Sequence, residues 1–95
     1  MTILTRAVEH YGKEVQIDKA IEECAEFIAC AQQFREGRKT REDLAGEVAD
    51  VRVMMEQMDI IIGDGLVPYA EAMKIARLDR RMREEEDNVP MSKRL

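Results

Sequence analysis

Apolar positions along the chain recur with a helical period, and no stretch alternates with a period of two. The series Ile17, Ala20, Ile21, Cys24, Phe27, Ile28, Ala31 and Phe34 steps by three or four residues. It predicts one long helix over about residues 13–36. A second series, Leu44, Val48, Val51, Met55, Met58 and Ile62, predicts a helix over about 41–62. A short helix over about 2–11 precedes them and stops at Gly12, and a fourth runs over about 67–86 with Pro68 in its first turn. Between the long helices, Gly37 suits the residue just past a helix end. Thr40 is a good N-cap, with Asp43 completing a capping-box-like pair. Gly63-Asp64-Gly65 breaks the third helix. The pattern predicts an all-α, four-helix fold in one domain over residues 1–87. Residues 88–95 have no periodicity and are expected to form a disordered tail.

Acidic residues interrupt this pattern at informative places. Glu23 and Glu26 are spaced i, i+3 in the second helix, and Glu47 and Asp50 are spaced i, i+3 in the third. Such spacing puts both members of a pair on neighbouring parts of one helix face. Glu47 falls inside the apolar stripe near Val51, Met54 and Met58, with Asp50 at its edge. Glu23 flanks the stripe of the second helix, one turn from Ala20 and Phe27, and Glu26 lies about 60° further round. A carboxylate at a core boundary must be neutralised, paired or metal-bound. No lysine or arginine lies within four residues of Glu47. Four acids converging between two helices call for a hard divalent cation, and Mg²⁺ is the usual choice where phosphates are handled. Mn²⁺ is able to substitute.

Other chemistry is poorly represented. The single histidine, His10, lies outside both acidic pairs, so the Glu-x-x-His motifs of a di-iron bundle are missing. Cys24 and Cys30 lie six residues apart on one predicted helix, lack the spacing of zinc ligands and point in different directions. They are expected to stay unpaired, as thiols do in a reducing cytoplasm. The net charge of −5 argues against nonspecific nucleic-acid binding. No apolar run approaches membrane-spanning length, and the first ten residues lack the apolar core of a signal peptide. A cytoplasmic protein is expected. A chain of 95 residues buries only a modest core. Phe27, Ile28, Phe34, Met54, Ile60, Ile61 and Ile62 also cover more than one helix face, so completion of the bundle by a homodimer or homotetramer is expected.

The pattern Glu22-Glu23-x-x-Glu26, followed by Glu47-x-x-Asp50, resembles the MazG-like all-α nucleoside triphosphate pyrophosphohydrolases. The flanking runs 20–28 and 47–51 share the resemblance, as does the basic segment Lys74-Ile-Ala-Arg77-Leu-Asp-Arg80-Arg81. The likeness spans roughly residues 15–83. It implies a four-helix MazG-like bundle completed in dimers, often paired into tetramers. It also implies Mg²⁺ held by Glu23, Glu26, Glu47 and Asp50, and cleavage of a (d)NTP into (d)NMP and pyrophosphate.

The residues are chemically consistent with that implication. A metal ion inverts the negative field of the acids toward a nucleoside triphosphate, and an acid not fully engaged with metal, Glu23 or Glu26, could take the proton of an attacking water. Lys74, Arg77 and Arg81, at i, i+3, i+7, form a basic stripe suited to the leaving pyrophosphate. Gln16 and Lys19 extend the acidic face of the second helix toward its N-terminus, where Gln16 could meet a base edge and Lys19 a phosphate or Glu23. His10 and Tyr11 could stack on a base. Two alternatives stay open. One is a phosphoribosyl-ATP pyrophosphohydrolase. The other is a non-catalytic helical interaction module with Met54, Met55 and Met58 as its partner surface.

Overall fold

The computed structural model describes residues 2–88. Among these the chain is all-α, with four helices and no strand. They are α1 (Ile3–Tyr11), α2 (Lys13–Arg35), α3 (Arg41–Ile62) and α4 (Leu66–Asp87). Each boundary lies within a residue or two of the one the periodicity predicts. The tail expected over 88–95 lies outside the described residues, apart from Asn88, which caps α4. No described helix is long and apolar enough to cross a membrane.

Contacts divide the chain into two units, with the boundary between Gly63 and Asp64. Three successive residues there, Gly63, Asp64 and Gly65, have φ of +77°, +58° and +67°. Glycine adopts this left-handed backbone freely and aspartate tolerates it, so these residues end α3. In the second unit, α4 starts from Gly65 and carries Pro68 in its first turn, where a missing N–H costs no helical bond. None of its residues is buried.

The first unit packs α1, α2 and α3 against one another. The α2–α3 connection is short and specified at both ends. Gly37, at φ +79°, lets the backbone close two bonds, Gly37 N to Phe34 O at 3.0 Å and Arg38 N to Gln33 O at 2.8 Å. Together they make a Schellman motif that satisfies the last carbonyls of α2. Across the loop, Asp43 N donates to Thr40 Oγ1 at 3.1 Å and Thr40 N donates to Asp43 Oδ2 at 2.9 Å. This reciprocal pair is the capping box that the sequence predicts. With both ends fixed, α3 turns back along α2. Gln16 meets Gln57, and Glu23 lies beside Glu47, so the pairings step in opposite directions along the two helices.

The face that α2 turns inward differs from the expected one. Its buried residues are Gln16, Ala20, Glu23 and Cys30, a regular i, i+4, i+7, i+14 line. Ile21 and Ile28, both in the predicted stripe, are 64% and 56% exposed. On α3 the buried residues are Met54 and Gln57, with Glu47 half-buried, while Val48, Met55 and Ile62 are exposed. Apolar residues occupy more than half the circumference of each helix, so periodicity alone leaves the centre of the inward face open. Cys24 and Cys30 are both free, as their spacing predicts.

The cap at the start of α3 generates a prediction. The Thr40 backbone N–H, followed by its side chain, holds the Asp43 carboxyl below its ordinary range. A lowered folded pKa gives stability that is present above about pH 4 and lost as pH falls through the folded value. Thr40→Ala is expected to cost about 1 kcal/mol in urea unfolding at neutral pH. Asp43→Asn is expected to flatten the acid limb of the stability profile, and an unchanged limb would rule out this contribution.

Candidate functional site

Three glutamates from two helices converge in the first unit. Glu23 and Glu26 come from α2 and Glu47 from α3, and one carboxylate oxygen of each lies within 4.8 Å of the others. Glu23 is 7% exposed, Glu47 is half-buried and Glu26 faces solvent. The i, i+3 spacing on α2 and the opposed direction of α3 produce this gathering: Glu23 lies on the inward line, Glu26 lies one turn on at its edge, and Glu47 enters from the facing helix. The sequence pattern places Glu23 on the flank of its stripe. In the structure it stands in the middle of the inward line and is the most buried of the three.

The electrostatics of this group are unbalanced. Glu23 Oε1 lies 3.1 Å from Lys19 Nζ, one helical turn earlier. Glu23 Oε2 and Glu47 Oε2 are buried and have no hydrogen-bond partner. Buried polar atoms are nearly always partnered, and charged ones carry the largest penalty when they are not. The effect reaches Glu26, whose carboxyl is held above its ordinary range chiefly by the negative charge of Glu23 and secondarily by desolvation. The Lys19 ammonium is also held above its ordinary range, first through its hydrogen bond with Glu23.

A hard divalent cation fits these observations. The donors are all carboxylate oxygens, they arrive from two sides, and two of the buried oxygens lack any other partner. Asp50 does not join the group. It is exposed on α3, because three residues on from Glu47 the side chain has rotated about 60° away from the α2 interface.

The other expected site residues are distributed as follows. Gln16 is buried, and its Nε2 donates to Gln57 Oε1 at 2.6 Å. Gln57, 3% exposed, is missing from the sequence expectations. The available signal is its position ten residues beyond Glu47 and three beyond Met54, on the inward side of α3. Lys19 is exposed and occupied by Glu23 and Glu22. Gln16, Gln57 and Lys19 line a groove of about 590 Å³ with Ile3, Leu4, Ala7, Tyr11 and Val15 on its apolar walls. The His10 and Tyr11 rings meet edge to face, with centroids 4.7 Å apart. In the second unit, Lys74, Arg77 and Arg81 are exposed on α4. Lys74 and Arg77 line a shallow groove of about 410 Å³ with Tyr69, Met73 and Arg80. Met54 is buried while Met55 is exposed, so the methionines of α3 do not form one surface.

Comparisons with protein-family models, with curated proteins and with solved structures gave no match.

Glu47→Gln tests the site without reference to catalysis. It keeps the shape and removes one of three mutually repelling charges. The metal-free melting temperature is expected to hold or rise. Mg²⁺ is expected to raise the melting temperature of the native protein and not that of the variant. An equal response in both would exclude Glu47 as a ligand.

Proposed function

We propose that this protein is a Mg²⁺-dependent nucleoside triphosphate pyrophosphohydrolase of the MazG-like kind, working as a homo-oligomer. One observation carries the reading: two buried carboxylate oxygens, one from each of two facing helices, stand without partners in a group of three glutamates. The two-part acidic motif supports it from the sequence side.

On this reading Glu23, Glu26 and Glu47 hold the metal, with Asp50 as a fourth candidate on the same helix as Glu47. Bound there, Mg²⁺ supplies charge neutralisation and polarises phosphate oxygens. The reaction adds water at the α-phosphorus and breaks its bond to the α–β bridging oxygen. A monophosphate and pyrophosphate leave, and one proton of the water must be accepted. Glu26, which faces solvent beside the two more buried carboxylates, is the acid proposed to accept it, through an oxygen not engaged with metal. The groove lined by Gln16, Gln57 and the apolar side chains of α1 is the proposed nucleoside site, since it combines apolar side chains with a few polar groups. Lys74, Arg77 and Arg81 are the proposed pyrophosphate contacts.

Exposed apolar residues support assembly. Among the described residues of the first unit no large side chain is fully buried, and Ile21, Ile28, Val53 and Ile62 are all at least 44% exposed. A second copy of the chain would cover such faces.

A panel of ribo- and deoxyribonucleoside triphosphates, with phosphoribosyl-ATP included, tests the activity. Pyrophosphate release is expected with Mg²⁺, none with chelator, and a loss of roughly 100-fold or more in Glu47→Gln. Metal-independent release, or normal turnover in the variant, would overturn the assignment. A panel with no release at all would favour the interaction module.

Assembly is tested separately by sedimentation at micromolar concentration. A dimer or tetramer is expected, and a stable monomer would contradict it.

A further inference from the structure

Of the two partners open to Lys19, a phosphate or Glu23, the structure shows Glu23. Its Nζ lies 3.1 Å from Glu23 Oε1 and 3.8 Å from Glu22 Oε1. The three side chains differ sharply in exposure: 47% for Lys19, 58% for Glu22 and 9% for Glu23. The ammonium therefore reaches inward from solvent on a flexible stem. It satisfies one oxygen of a buried carboxylate while the other, Oε2, stays unpartnered.

We propose that Lys19 is a displaceable internal counter-ion for Glu23: a divalent cation takes its place, and the released ammonium becomes a phosphate contact at the rim of the same site. This rests on the metal reading given above. Three carboxylates within 4.8 Å need more positive charge than one ammonium brings, and an ammonium lying against one oxygen cannot serve the buried oxygens of Glu23 and Glu47 together. A small dication between them can. Once it is there, an ammonium against the same carboxylate is repelled. Lys19 has somewhere to go, because Glu22 is a turn away on the exposed side and already within 3.8 Å. A lysine suits this exchange better than an arginine, being a compact point charge with freely turning donors. Lys19 also lines the groove beside Gln16, so the released charge stays within reach of a ligand bound there.

Lys19→Met tests the exchange with Mg²⁺ alone as the probe, read by calorimetric titration of the full chain without nucleotide. Removing the competitor is expected to tighten Mg²⁺ binding by roughly three- to tenfold, as for one competing charge at a water-exposed rim. The metal-free melting temperature should fall, since Glu23 loses its counter-ion, and the gain on adding Mg²⁺ should exceed that of the native protein. Lys19→Arg, which keeps the cation, should bind Mg²⁺ within about twofold of the native protein. Lys19→Gln, which keeps a hydrogen-bond donor for Glu23, serves if the methionine variant does not fold. With nucleotide and metal present, KM should rise more than kcat falls. Native Mg²⁺ affinity with unchanged or weaker binding in both neutral variants would overturn the exchange and leave the metal site standing. Absence of Mg²⁺ binding by the native protein would overturn both.

Discussion

Packing α2 against α3 places two carboxylates in the helix interface, and the remaining features of the first unit are arranged around that cost. An isolated buried carboxylate is among the most expensive groups a small fold can contain. Glu23 is relieved on one oxygen by Lys19, and its second oxygen and one oxygen of Glu47 are left without partners. The same interface contains a counter-example. Gln16 and Gln57 are also buried, but their amides bond to each other, and Gln57 Nε2 also reaches Val53 O at 3.4 Å. A neutral amide pair can close on itself and fix the register of two helices. A pair of acids cannot, because both sides offer only acceptors. One end of the interface is thus closed, and the other is open to a cation.

The inward orientation of these polar groups has a consequence for the outer surface. A helix that commits Gln16, Ala20 and Glu23 to its core line has few places left for its large apolar residues. Ile21 and Ile28 stand on the outside of α2, and Val48, Met55 and Ile62 stand on the outside of α3. On α2 the small residues Ala20 and Cys30 are buried instead, on the same line as Glu23. The acidic group and the exposed apolar faces are therefore two results of one rotation of α2 and α3 about their axes. This links the proposed chemistry to the proposed assembly.

Helix number, helix ends and the loop between α2 and α3 were legible in the sequence, because each rests on a local signal. Gly37 and the Thr40–Asp43 box act within a few residues and need no tertiary information. The grouping of Glu23, Glu26 and Glu47 was legible from i, i+3 spacing combined with apolar context. The exact inward face was not. With Ile17, Ile21, Cys24 and Ile28 on one side of α2 and Ala20 and Phe27 on another, the apolar arc is wide, and its centre is chosen by what α1 and α3 bring to it. That choice moved Glu23 from flank to core, sent Asp50 to solvent and made Gln57 the partner of Gln16. A pairing between residues 41 positions apart leaves no local trace.

Charge balance constrains the proposed site further. Three carboxylates carry three negative charges, and a single divalent cation standing in place of the ammonium leaves one of them uncompensated. A triphosphate approaching that group brings further negative charge and needs cations beyond the first. Displacement of Lys19 frees one of them at the rim, without adding any residue to the cluster. The remainder must come from a second divalent ion or from basic side chains outside the cluster. Guanidinium groups pair with phosphate oxygens bidentately and keep their charge at any physiological pH. If the acidic cluster holds metal as proposed, it still needs other groups to hold a triphosphate. On the proposed reading, the acids of α2 and α3 set the position of the reacting phosphorus, and basic residues outside the cluster set how tightly the polyphosphate is held.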